Sequence, residues 1–183
     1  MKWNKQFIYP KTVRSSIDGV RKYSIGQEKL PSVTTIISST QDAVKTENLA
    51  RWKLKVGEVE AERIKNIIKK GFPDLEEVWG VECTLFYPGL YAGQTDLCGI
   101  YQGRESIVDF KQSNKPKRAE WIGDYKLQLA AYATAHDCIF GTNIEQGVIL
   151  MCTPDNFFQR FIVNGPEFRE WKWKWLQKIS DYY

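Results

Sequence analysis

Two runs with strand-like alternation, YAGQTDLCGIY (91–101) and ESIVDFK (105–111), meet across Gln102-Gly103, and that junction constrains the chain more than any other feature. A two-residue turn fixes the pairing register of the strands it joins. Tyr101 then faces Arg104, Asp96 faces Asp109 and Gln94 faces Lys111. Side chains alternate along a strand, so positions 94, 96, 109 and 111 share one face. Facing side chains stand about 5 Å apart at Cβ, where like charges destabilise the pair. Two opposed aspartates in mid-hairpin therefore call for compensation. A divalent cation between them supplies it, and Lys111 lowers the remaining repulsion. A bulge would break this pairing, and a solvated hairpin face with ordinary surface charges would carry the same letters.

The residue inventory narrows the choice of cation. His136 is the only histidine, and Cys83, Cys98, Cys138 and Cys152 show no C-x-x-C spacing. Neither zinc nor an iron–sulfur cluster is expected; four buried thiols and a structural His136 are. Carboxylate ligands favour a hard ion, Mg2+ or Mn2+. Such an ion polarises a phosphoryl oxygen and acidifies bound water, which suits phosphodiester hydrolysis. Lys111 would orient or deprotonate that water, or stabilise charge in the transition state. Further on, Gln128 and Tyr132 are spaced i, i+4 on one face of an expected helix, with Tyr125 just before them. An amide on this otherwise apolar stretch needs a hydrogen-bond partner, and an active-site group is one candidate.

The rest of the chain reads as one α/β domain. A small hairpin over 3–26 turns at Asp18-Gly19, and Ser32 caps a short helix in VTTIIS. Residues 46–70 are helix-forming, with Leu49, Trp52 and Val56 on one face and Ile64, Ile67 and Ile68 on another, ending at Gly71-Phe72-Pro73. Strands follow at 81–87, 91–101 and 105–111, then a helix at 121–137 and strands at 146–153 and 157–163. The tail is an amphipathic helix with Phe168, Trp171, Trp175 and Ile179 along a core-facing stripe. The expected architecture is a mixed, mainly antiparallel sheet of about five strands flanked by helices. It divides into an N-terminal hairpin extension (1–30), a helical region (31–70), a core (78–163) and a C-terminal helix (165–183).

With 43% hydrophobic and 14% aromatic residues the chain can bury a core, so disorder is excluded. It has no apolar run long enough to span a membrane and no secretory-type leader, so a soluble, cytoplasmic protein is expected. The net charge of +4 permits an anionic partner. The cations cluster in a Pro-containing loop directly after a strand, where Lys115, Lys117 and Arg118 precede Trp121. A solvated basic loop would look the same.

These pieces together resemble a known family. G-x-T-D (Gly93 to Asp96), I-V-D-F-K (Ile107 to Lys111) and Q-L-A-A-Y (Gln128 to Tyr132) are similar to the successive motifs of the RecB-like branch of PD-(D/E)XK nucleases. More narrowly, KLPSVTTIIS, Trp52 to Glu58, YAGQTDLCGIYQG and DFKQSNKPK resemble phage exonucleases related to the mitochondrial genome maintenance exonuclease, over roughly residues 29–183. The resemblance implies a restriction-endonuclease-like core with Asp96, Asp109 and the Phe110 carbonyl on one or two Mg2+ ions. It makes Lys111 the catalytic lysine, with Gln128 and Tyr132 supporting the site or touching the scissile phosphate. Glu82 matches an acidic position of some members, and a solvated glutamate explains it equally. Ser32, Thr34 and Thr35 stand where the family contacts DNA, with Lys115, Lys117 and Arg118 expected on phosphates and Trp121 stacking on a base. One departure stands out: relatives carry a Gly-x-x-x-His segment on a helix before the first core strand, and this chain has no histidine there.

The function so implied is a metal-dependent DNA exonuclease acting on linear ends, single- or double-stranded, in phage recombination, replication or host DNA degradation. In that case it would work in the host cytoplasm, as a monomer or a homo-oligomer. An endonuclease of the same fold and a catalytically silent DNA-binding module are the alternatives.

Overall fold

Gln102 and Gly103 both have positive φ, 48° and 76°, the backbone of a tight hairpin turn whose twist matches its strands. It joins β6 (Tyr91–Tyr101) to β7 (Arg104–Gln112) in the expected antiparallel register, Tyr101 against Arg104 and Leu97 against Val108. The computed structural model describes residues 1–17, 20–40 and 60–183. Before this hairpin come β1 (Lys2–Trp3), β2 (Val13–Ile17), β3 (Val20–Ile25), β4 (Glu28–Pro31) and β5 (Leu75–Tyr87). After it come β8 (Gln146–Cys152) and β9 (Phe158–Asn164). Among the described residues the α-helices are α1 (Val33–Ser39), α2 (Glu60–Gly71), α3 (Gly123–Phe140) and α4 (Gly165–Tyr182).

The class is α/β, with a mixed sheet flanked by helices. Among the described residues its main sheet has six strands in the order β1-β5-β6-β7-β8-β9, one more than expected. The extra strand is β1, which runs parallel to β5 through Lys2↔Glu77 and Trp3↔Val78. β7 and β8 are also parallel, because α3 carries the chain from the end of one to the start of the other. The remaining three strands form a separate antiparallel sheet, β2-β3-β4. β5 starts at Leu75 rather than at 81, and register shifts between Leu75/Glu77 and Val78/Gly80 disguise its alternation.

Both faces of the main sheet are covered, so its strands are apolar on both sides. Leu97, Val108 and Leu150 pack with Ile67 of α2 on one face. Cys98, Ile107, Ile149 and Met151 join the large core that includes Leu129 of α3, Trp175 of α4 and Ile36 of α1 on the other. Ser32 caps α1 as expected, its Oγ accepting the Thr35 N–H at 3.0 Å. On α4, Phe168, Trp175 and Ile179 are buried and Trp171 packs at the edge of the same core.

Two local expectations change, and a third falls partly outside the described residues. Of the helix read over 46–70 only Glu60–Gly71 is described, and Leu49, Trp52 and Val56 lie outside the described residues. Ile67 is buried while Ile68 is 44% exposed, since neighbours on a helix point about 100° apart. Cys83, Cys98 and Cys152 are buried, but Cys138 sits on the open side of α3 and is exposed. His136 is structural as expected: it is fully buried, beside Tyr9 at 3.1 Å and Thr142 at 2.8 Å and among the rings of Phe7, Trp79 and Phe140.

Candidate active site

Backbone pairing between β6 and β7 runs as far as Leu97↔Val108 and would next set Asp96 against Asp109. There the two carboxylates take over the backbone donors. The Phe110 N–H donates to Asp96 Oδ2 at 2.7 Å, and the Asp96 N–H donates to Asp109 Oδ1 at 3.2 Å. Thr95 Oγ1 adds a third bond, donating to Asp109 Oδ1 at 2.8 Å. Charge-assisted bonds of this kind fix orientation as well as position. The strands thus clamp both carboxylates from their own backbone.

The site is short of positive charge. Asp109 is only 4% exposed and Asp96 half-buried. Burial, then the neighbouring Asp109 charge, pushes the Asp96 carboxyl up to about 6, against the pull of the Phe110 N–H and Lys111. Lys111 Nζ stands 3.5 Å from Asp109 Oδ2, donates to Gln128 Oε1 at 2.7 Å and lies 5.0 Å from the centre of the Tyr125 ring. The partner that Gln128 needs is therefore Lys111. One turn later, the buried Tyr132 ring packs on Gly93, where a Cβ would come within 2.7 Å of it. Burial raises the Tyr132 hydroxyl well above its ordinary range, so it is a neutral donor.

A cavity of about 190 Å³ opens beside Asp96 and Tyr132. Asp96, Glu82, Gln94, Gly93 and Tyr132 line its core side. Ser32 and Thr34 of the α1 start, with Arg14, Arg21 and Tyr23 of the small sheet, line the other. Ser32 is 2% exposed, and its hydroxyl is engaged by Thr34 and Thr35. Thr35 lies one step out, in a groove that continues along α1.

The basic loop is held apart from this cavity and contributes nothing to its lining. Lys117 is pinned by two backbone bonds to the Gln159 amide, both 2.8 Å, and Arg118 stacks over Trp121 at 5.1 Å. Lys115, Arg118 and Trp121 are exposed. Sequence reasoning missed Thr95, since strict alternation turns it away from Asp109. A polar residue at a fully buried strand position was its only signal. It also missed Arg14, Arg21 and Tyr23, because their side of the site is built by a separate sheet.

The donors suit a hard divalent cation. Two carboxylates share one low-dielectric place, and Mg2+ is commonly held by one or two carboxylates, with water and substrate oxygens completing its shell. Among the described residues no three His, Cys, Asp or Glu side chains gather as a metal cluster. Glu82 shares the cavity, its backbone held at φ 50° and its carbonyl bonded by Gln94 at 3.0 Å, without joining the two aspartates as a third ligand.

No protein-family model matches the chain. It is 26% identical to the human (Homo sapiens) mitochondrial genome maintenance exonuclease 1 over 207 aligned positions, covering 88% of this chain and 60% of that protein. The mouse (Mus musculus) counterpart is 24% identical, with 88% and 61% covered. The chain thus spans about three fifths of the length of these curated relatives. The alignment is longer than the chain itself, so the human protein has residues within it that find no counterpart here. Among solved structures, the alkaline exonuclease of Laribacter hongkongensis superimposes with a TM-score of 0.38 and 11% identity, over 83% of this chain and 88% of that one. Among the described residues no helix is long and apolar enough to cross a membrane.

Proposed function

We propose that this chain is a metal-dependent DNA exonuclease of the PD-(D/E)XK class. The observation that carries the reading is the Asp96–Asp109–Lys111 group: two carboxylates clamped by backbone donors, with a lysine 3.5 Å from one of them, and with Asp96 opening onto a cavity. The sequence similarity to two proteins named as exonucleases supports the same class.

In this reading Asp96 and Asp109 hold Mg2+ or Mn2+, with the Phe110 carbonyl as a further ligand and Glu82 at the cavity wall. When bound, the ion supplies Lewis acidity toward a phosphoryl oxygen and lowers the pKa of water. Lys111, aimed by Gln128, places its ammonium where negative charge grows on the phosphate. Tyr132, neutral and buried, lines the cavity and would donate its hydroxyl to a phosphate oxygen there. The Thr95 hydroxyl and the Phe110 N–H keep the carboxylates from turning away. DNA ends are the substrate, and the Lys115–Trp121 loop is a second contact for phosphates and bases.

Linear DNA and covalently closed circular DNA, each incubated with Mg2+, Mn2+ or EDTA, test this reading. It requires metal-dependent loss of the linear substrate with the circle intact. Cutting of the circle would make the chain an endonuclease, and inertness on both would remove the hydrolytic reading.

A further inference from the structure

The cavity's outer wall has no role in the reaction so far. It is built by β2 and β3, where pairing sets Arg14 against Tyr23 and Ser16 against Arg21. Directly paired residues share a face, and so do residues two apart on a strand. Arg14, Ser16, Arg21 and Tyr23 therefore point one way. That way is toward the site, since Arg14, Arg21 and Tyr23 line the cavity that contains Asp96. The two guanidiniums are diagonal neighbours on this face, about 7 Å apart at Cβ.

The wall is anchored, so the arginines have fixed roots. Tyr23 is 3% exposed and packs with Leu30 and Ala92. The Arg21 carbonyl accepts both the Ser32 N–H and the Thr35 hydroxyl, at 3.3 Å each, which ties β3 to the start of α1. Both arginine side chains stay exposed, and among the described residues neither has a carboxylate within ion-pair distance. Arg21 and Thr34 also line a second groove, with Ser16, Thr35, Ser38 and Ser39. The two hollows share those two residues, so a hydroxyl-lined channel leads away from the carboxylates between the hairpin and α1.

We propose that the N-terminal sheet is a phosphate-binding wall of the active site. Arg14 and Arg21 hold the backbone phosphate that adjoins the scissile one, and the α1 groove carries the strand onward. The ligand class is a polynucleotide phosphodiester. Two planar donors suit it, because each guanidinium binds a phosphate in bidentate fashion and keeps its charge at every working pH. The wall also offsets the two aspartates, which by themselves would repel the substrate. The proposal rests on the nuclease reading for the identity of the strand, while its test reads binding separately from hydrolysis.

The experiment compares Arg14→Gln/Arg21→Gln with Lys22→Gln/Lys29→Gln. The second pair removes equal charge from the opposite face of the same sheet. Affinity for a fluorescent single-stranded oligonucleotide is measured in EDTA across a salt series, and KM and kcat are measured with Mn2+. The arginine variant is expected to bind at least tenfold more weakly, with the log–log salt slope reduced by about 0.7 for the one phosphate no longer neutralised. Its KM should rise about tenfold with kcat within threefold of the parent, while the lysine variant binds and turns over like the parent. Unchanged affinity in the arginine variant, or equal losses in both variants, would overturn the wall. If the parent protein hydrolyses nothing, the nuclease reading fails, and the EDTA binding series still decides the wall.

Discussion

Lys111 Nζ donates to Gln128 Oε1 at 2.7 Å, so a helix one crossover away in the chain aims the cation of a strand. The ammonium would otherwise be free to close on Asp109, 3.5 Å away. Hydrogen bonds to charged groups contribute about 1.5–3 kcal/mol. Gln128→Ala should therefore lower kcat by roughly tenfold to a hundredfold with KM nearly unchanged, and Gln128→Glu should do at least as much by neutralising Lys111. Steady-state kinetics on folded variants check this; a variant as fast as the parent would dissociate Gln128 from the chemistry.

Asp109 is an acceptor for its own hairpin as well as a candidate ligand. Truncation to alanine leaves the Thr95 hydroxyl and the Asp96 N–H without their partner, at a cost of about 1–3 kcal/mol. Asp109→Asn keeps an acceptor oxygen and removes the charge. Thermal melts should show Asp109→Ala well below Asp109→Asn, and both should be inactive.

Ligand binding to the native state alone raises stability. Millimolar Mn2+ should accordingly raise the Tm of the parent and leave that of Asp96→Asn/Asp109→Asn unmoved. An equal rise in both would place the cation elsewhere.

Gly93 is a packing residue of the site. A Cβ there meets Tyr132 Cε1 at 2.7 Å and Val33 Cγ2 at 3.2 Å. Gly93→Ala should displace the Tyr132 ring, costing about 1–3 kcal/mol and most of the activity. Gly99→Ala is worse, because its Cβ would fall 2.0 Å from the Glu77 carbonyl oxygen. Backbone cannot step aside as a ring can. Soluble expression and melting of the two variants give the comparison, and a fully stable Gly99→Ala would contradict the β5–β6 packing.

Burial holds His136 down at about 4 against an ordinary 6.5. Its folded-state pKa is depressed, so the unfolded chain takes up the proton first as pH falls. Stability is then flat above about pH 6.5 and drops between 6.5 and 4, by up to about 3 kcal/mol from this group. Chemical denaturation from pH 4 to 7.5 should show the parent losing more than His136→Gln across that window. Parallel curves would show that His136 is not held neutral.

Local chemistry made the hairpin legible: Gly103 permits the tight turn, and period-two alternation sets the register from Tyr101↔Arg104 to Leu97↔Val108. That register points to Asp96, Asp109 and Lys111, and i, i+4 spacing on α3 points to Gln128 and Tyr132. β1 did not follow, since two residues carry no period and their pairing with β5 depends on a parallel partner 75 positions away. β5 was read six residues short because its register shifts interrupt alternation. Thr95 breaks alternation to reach Asp109, and the arginines of β2 and β3 reach the site only through the docking of a second sheet. Non-local contacts of this kind leave no mark on a local pattern.

The most direct test follows end-labelled linear DNA with Mn2+ or EDTA in the parent, Asp96→Asn, Asp109→Asn and Lys111→Ala proteins. Metal-dependent release of mononucleotides or short oligomers by the parent alone, at least a thousandfold above each folded variant, is the predicted result. Equal release by a variant and the parent, or release undiminished by EDTA, would contradict an active site built on Asp96, Asp109 and Lys111.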